Sequence, residues 1–183
     1  RQEIDNKAFD IKGNVLEQSA STYAPSGELF TKQVVKSSDF NLRGQAHRQE
    51  TLSYKQTIRG GVVLDSRNVT ENLSYDDLGN VLKSRVSSYQ TEMSSGGQLL
   101  SGREILTGRQ EIESRNFNAR GVAGATVVRS YDKDGSFTQK QETLNVLVDG
   151  RGNIMKSRTD TSRPASDENG KAIPGKLEIT GQD

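Results

Sequence analysis

Tyr75-Asp76-Asp77-Leu78-Gly79-Asn80-Val81 is the stretch that decides how this chain folds. An Asp or Asn side chain accepts hydrogen bonds from the backbone just ahead of it, and a following glycine takes the left-handed conformation that closes a type I turn with a bulge. The same punctuation recurs as Asp10 with Gly13, Asn41 with Gly44, Asn118 with Gly121 and Asp149 with Gly152. These glycines are therefore read as structural, each marking a hairpin.

Working outward, each of the first four turns is preceded by an aromatic residue, and a second aromatic follows 14 residues after the first. The pairs are Phe9 with Tyr23, Phe40 with Tyr54, Tyr75 with Tyr89, and Phe117 with Tyr131. Of five Phe and five Tyr, only Phe30 and Phe137 stand outside this spacing, which establishes an internal repeat. A fifth copy is degenerate: Val148 replaces its leading aromatic and Ser162 its second. A hydroxyl precedes the second aromatic position every time, at Thr22, Ser53, Ser88, Ser130 and Thr161, and stacked copies would place these in one file.

Second-half turns are expected at Pro25-Ser26-Gly27, Gly60 and Gly61, Gly96 and Gly97, Asp132 to Gly135, and Asp167 to Gly170. Ten turns then separate strands of roughly 9 to 13 residues, long for β structure. The intervening segments are rich in Val, Thr, Ser, Gln, Arg and Tyr and lack helical periodicity. The expected fold is all-β: antiparallel hairpin repeats forming a long ribbon, meander or solenoid-like stack. It is one array over 1–183, with units near 9–39, 40–74, 75–116, 117–147 and 148–183. Gly102 and Gly108, in the longest unit, suggest bulges or an extra short turn. Alternation is weak: Val63, Val69, Leu73 and Tyr75 share a face, but the strand from Val81 to Tyr89 is polar on both.

Composition supports a repetitive sheet over a free-standing globule. Hydrophobic residues make up only 31% of the 183, and mean hydropathy is -0.76, so the core must be thin. Twenty-five Lys and Arg against 24 Asp and Glu, interspersed, leave no basic patch for nucleic acid. With no cysteine there are no disulfides or thiolate metal sites, and the single His47, read as a surface strand residue, leaves little for imidazole chemistry. No apolar run is long enough for a membrane span. The chain opens at Arg1 rather than Met and is read as a fragment of a longer chain, with any secretion signal upstream.

With these residues in view, the chain resembles the Rhs/YD-repeat family, whose signature is an aromatic and an Asp before a glycine turn. Tyr75-Asp76-Asp77-Leu78-Gly79 and Tyr131-Asp132-Lys133-Asp134-Gly135 carry the resemblance. The family usually places Arg after the glycine and has a shorter, more even period, whereas Asn14, Gln45, Asn80, Val122 and Asn153 stand there in this chain. The resemblance implies a bacterial surface or secreted protein built of long β-hairpins.

No catalytic, metal or cofactor motif emerges. Asp76, Asp77, Asp132 and Asp134 could be offered as calcium ligands, but Asp is favoured at turns for local hydrogen bonding. Asn68-Val69-Thr70 and Asn72-Leu73-Ser74 fit the glycosylation sequon, a triplet common by chance. The aromatics are either stacking platforms for a carbohydrate or plugs at the hairpin ends, with Val15 and Val81 as natural partners across the turn. The expected function is structural: a non-enzymatic chain whose partner is itself, in an extracellular fibre, sheath or cell-surface layer. The alternative is an adhesin or glycan-binding stalk, for which exposed tyrosines would be the mark.

Overall fold

The computed structural model describes residues 1–56, 61–93, 99–167 and 172–182. Eleven strands follow one another as neighbours in a single antiparallel sheet, in strict sequence order, and the described residues contain no helix. They are β1 (Gln2–Phe9), β2 (Val15–Tyr23), β3 (Leu29–Phe40), β4 (Ala46–Gln56), β5 (Val62–Tyr75), β6 (Val81–Met93), β7 (Leu99–Arg115), β8 (Ala125–Asp132), β9 (Phe137–Val148), β10 (Ile154–Ser166) and β11 (Ala172–Gln182). The all-β meander expected from the turn spacing is what forms. Turns expected at residues 60–61, 96–97 and 167–170 fall wholly or partly outside the described residues.

Strand β7 runs unbroken through Gly102 and Gly108, so no extra turn forms there; Gly102 instead takes a φ of +80 within the strand. Pro164 and Pro174 lie within β10 and β11.

The chain divides into two compact units: residues Arg1–Asn72 with Val86–Thr107, and residues Leu73–Arg85 with Gly108–Asp183. In the first unit, the register places Ser19, Val34, Leu52 and Arg67 in one row across β2 to β5, with Glu17, Lys36, Glu50 and Val69 in the next row on the same face. In the second, Glu113, Val127, Glu142 and Asp160 form one row and Glu111, Arg129, Lys140 and Ser162 another.

These rows carry three of the five buried hydrophobic side chains among the described residues; the other two are Ala125 and Ala165. Val34, Val69 and Val127 are buried on them, and no large side chain is fully enclosed anywhere among the described residues. Long Lys, Arg and Glu stems lying over small aliphatic residues shield them while the charged ends stay wet.

Candidate functional site

Seven reversals share one backbone geometry. In the first, the Gly13 N–H donates to the Asp10 carbonyl at 3.0 Å and the Asp10 N–H to the Asn14 carbonyl at 3.0 Å. The Asp10 carboxylate closes the turn: Oδ1 accepts from the Lys12 and Asn14 N–H groups at 2.8 and 2.9 Å, and Oδ2 from the Asn14 amide at 2.7 Å. The backbone pattern repeats at residues 24–28, 41–45, 76–80, 118–122, 132–136 and 149–153, with every glycine at a φ between 75 and 89. Asn80 and Asn153 likewise donate to Asp76 and Asp149, while Asn41 reverses the polarity and donates to Gln45.

Amide donation from Asn14, Asn80 and Asn153 is the main reason the carboxyls of Asp10, Asp76 and Asp149 sit below the ordinary range. Both oxygens of these carboxylates are thus engaged within their own turns.

Turns along one edge of the sheet also touch one another. A Cβ on Gly44 would lie 2.7 Å from Asn14 Oδ1, one on Gly121 would lie 2.8 Å from Asn80 Oδ1, and one on Gly152 would lie 3.0 Å from Arg120 Cδ. The glycines are therefore required twice, once for the left-handed backbone and once because the preceding turn occupies the space a side chain would need.

At four of the five repeat positions the hydroxyl before the second aromatic position marks a break in register. Thr22 pairs with Thr31 but Tyr23 with Leu29; Ser53 with Ser66 but Tyr54 with Leu64; Ser130 with Gln139 but Tyr131 with Phe137; Thr161 with Gly181 but Ser162 with Ile179. Phe30, Asp65, Thr138 and Thr180 are the extra residues, each forming a β-bulge. Thr138 donates to the Ser130 carbonyl at 3.1 Å and Thr180 to that of Thr161 at 3.4 Å; Thr107 makes the matching bond to Ser88 at 3.0 Å. Sequence reasoning missed these threonines.

Two expectations about faces are corrected by this geometry. Thr22 and Ser53 lie in different rows, two residues apart along the strands, because the repeats are staggered and not stacked level. The Asp65 bulge puts Leu64 opposite Tyr54 and Val63 opposite Lys55, so Val63 does not share the face of Val69, which pairs with Glu50.

The repeat aromatics lie with the charges. Phe9, Tyr23, Phe40 and Tyr54 share the charged face of the first unit, Phe9 pairing with Val15 as a plug would. Phe9 is exposed; Tyr23, Phe40, Tyr54, Tyr75, Tyr89, Phe117 and Tyr131 are half-buried. Cations cover three rings: Lys32 lies 6.0 Å from the Tyr54 centroid, Arg67 4.2 Å from Tyr89 and Arg109 4.8 Å from Tyr131. Arg67 also bridges Glu50 at 2.9 Å and Glu104 at 3.0 Å. Tyr131 donates to Glu111 at 3.3 Å, and desolvation, reinforced by that carboxylate, holds its hydroxyl above its ordinary pKa.

The opposite face of each unit carries less charge, and the charges on it stand in pairs: Lys55, two residues beyond Ser53, with Asp65, and Arg163, two residues beyond Thr161, opposite Glu178. Gln18, Val35, Thr51 and Asn68 form one row of it, and Ala20, Gln33, Ser53 and Ser66 the next. In the second unit, Ser114, Thr126, Thr143 and Thr159 make a row of four hydroxyls, beside Ile112, Val128, Gln141 and Thr161. Ser114 and Thr126 lie 3.4 Å apart, Thr143 and Thr159 3.0 Å.

His47 is exposed in β4, with Nδ1 3.2 Å from the Asn72 carbonyl. The Asn72 amide of the second sequon is itself tied to the Ala46 carbonyl at 2.9 Å. Among the described residues no group of His, Asp and Glu is placed to hold a metal, and no helix is long and apolar enough to cross a membrane.

No protein-family model matches the chain, and no curated protein matches it. The functional reading rests on the sheet itself.

Proposed function

We propose that this chain is a non-enzymatic structural repeat protein that joins copies of itself through the edges of its sheet, building an extracellular fibre, sheath or surface layer. One observation carries the reading: β1 and β11 end the strand order, each with a single strand neighbour. Such an edge presents a row of backbone N–H and C=O groups that templates another strand. On β11, Lys176, Leu177 and Glu178 are exposed in succession. A second copy paired antiparallel about Leu177 would set each Lys176 opposite a Glu178, a favourable cross-strand pair.

The thin core supports the same reading, since added strand pairing supplies order that little burial can. So does the Rhs/YD-repeat resemblance of the turns, which points to a surface or secreted protein. Tyrosine rings already covered by Lys32, Arg67 and Arg109 favour a structural role over a glycan-stacking stalk, because a sugar would have to displace those cations.

Light scattering over a concentration series tests the proposal. Wild-type mass should rise without a closed end point, and a variant carrying Ile4→Lys and Ile179→Lys, both at exposed positions of the end strands, should stop at small species. A wild-type chain that stays monomeric at high concentration would contradict it.

A further inference from the structure

The division of each unit into a charged face and a mainly neutral face is not needed for edge pairing, and it has a chemistry of its own. We infer that the neutral face docks a second copy of this chain, neutral face to neutral face, so that two sheets stack. The inference rests on the assembly reading above but concerns a different surface.

A surface that meets its own copy must not repel itself. Hydroxyls and carboxamides each donate and accept hydrogen bonds, so a face of Ser, Thr, Asn and Gln can satisfy an identical face in many registers. The charged face lacks this property, since its carboxylates and cations are already committed to one another: Lys83 and Arg129 to Glu113, Arg85 and Arg109 to Glu111.

Side-chain length agrees. Thr126, Thr143 and Thr159 are short, so a second sheet can approach to the roughly 10 Å at which β-sheets stack. Four strands of about eight residues offer roughly 500 Å² per unit, or on the order of 1,000 Å² in total when two such faces meet, enough for a specific contact.

The test uses the intact chain and substitutions at exposed positions on the neutral face, Gln33→Lys and Gln141→Lys, with Lys36→Gln on the charged face as control. Electron cryo-microscopy of wild-type filaments should show two sheets about 10 Å apart, and the double lysine variant should give single sheets.

Single-sheet wild-type filaments would overturn the inference while leaving edge assembly standing. Dimers without filaments would do the reverse. A neutral polysaccharide protecting this face from hydrogen exchange in single-sheet material would also overturn it and name a different occupant.

Discussion

Asn14 Oδ1 stands where a side chain on Gly44 would begin, 2.7 Å from an ideal Cβ, although the two residues belong to turns separated by a third, at residues 24–28. Gly13, in a turn of the same backbone form, has nothing within 4 Å of such a Cβ. The two glycines therefore separate conformational cost from steric cost. Gly13→Ala should destabilise by about 1 to 2 kcal/mol, the cost of a left-handed residue with a side chain. Gly44→Ala should lose about 1 to 3 kcal/mol more. Thermal melts of both, and of Gly44→Ala with Asn14→Ala, check this; the double variant should recover part of the added loss.

Acid should loosen some turns and spare others. The carboxyls of Asp10, Asp76 and Asp149 are lowered in the folded chain, chiefly by amide donation from Asn14, Asn80 and Asn153. Their contribution to stability is full above the unfolded carboxyl value, about 3.9, and is lost as pH falls through the lower folded values. Asn41 and Asn118 hold equivalent turns without titrating. Amide exchange followed below pH 4 should show residues 10–14, 76–80 and 149–153 opening before 41–45 and 118–122, and Asp76→Asn should remove the acid sensitivity of its turn.

The bulge threonines should act alike. Thr138→Val keeps the branched shape but removes the hydroxyl that bonds the Ser130 carbonyl. A loss of about 0.5 to 1.5 kcal/mol is expected, with Thr180→Val at the low end because its bond is longer. Denaturant titration distinguishes this from a purely conformational role, in which valine would be neutral.

Arg67 is the residue of the charged face whose loss should cost most. It stacks on Tyr89 and joins Glu50 to Glu104. Arg67→Lys cannot bond both carboxylates and cover the ring together, so a loss of about 1 to 2 kcal/mol is expected, discounted for partial exposure. Exposed pairs such as Arg103 with Glu92 should be worth far less. Raising salt should narrow the difference.

Most of the fold was legible because turns announce themselves chemically. Asp10, Asn41, Asp76, Asn118, Asp149 and their glycines are required by backbone geometry, and that requirement leaves few alternatives. The two faces were harder to read. Alternation in this chain is not apolar against polar but charged and aromatic against neutral polar, as in Glu50, Thr51, Leu52, Ser53 and Tyr54. A hydrophobicity pattern is nearly blind to that. Bulges compound the difficulty, because Asp65 and Thr138 each shift the register and carry no sequence signal until a partner strand is known. The contact between Asn14 and Gly44 joins residues two strands apart and depends on the stagger between repeats.

The central claim is that copies join through sheet edges, and electron cryo-microscopy of concentrated native material tests it most directly. The account predicts filaments or layers in which strands spaced about 4.8 Å apart continue without interruption from one copy into the next. Dispersed monomers, or assemblies whose copies meet without β1 or β11 gaining a strand neighbour, would contradict it.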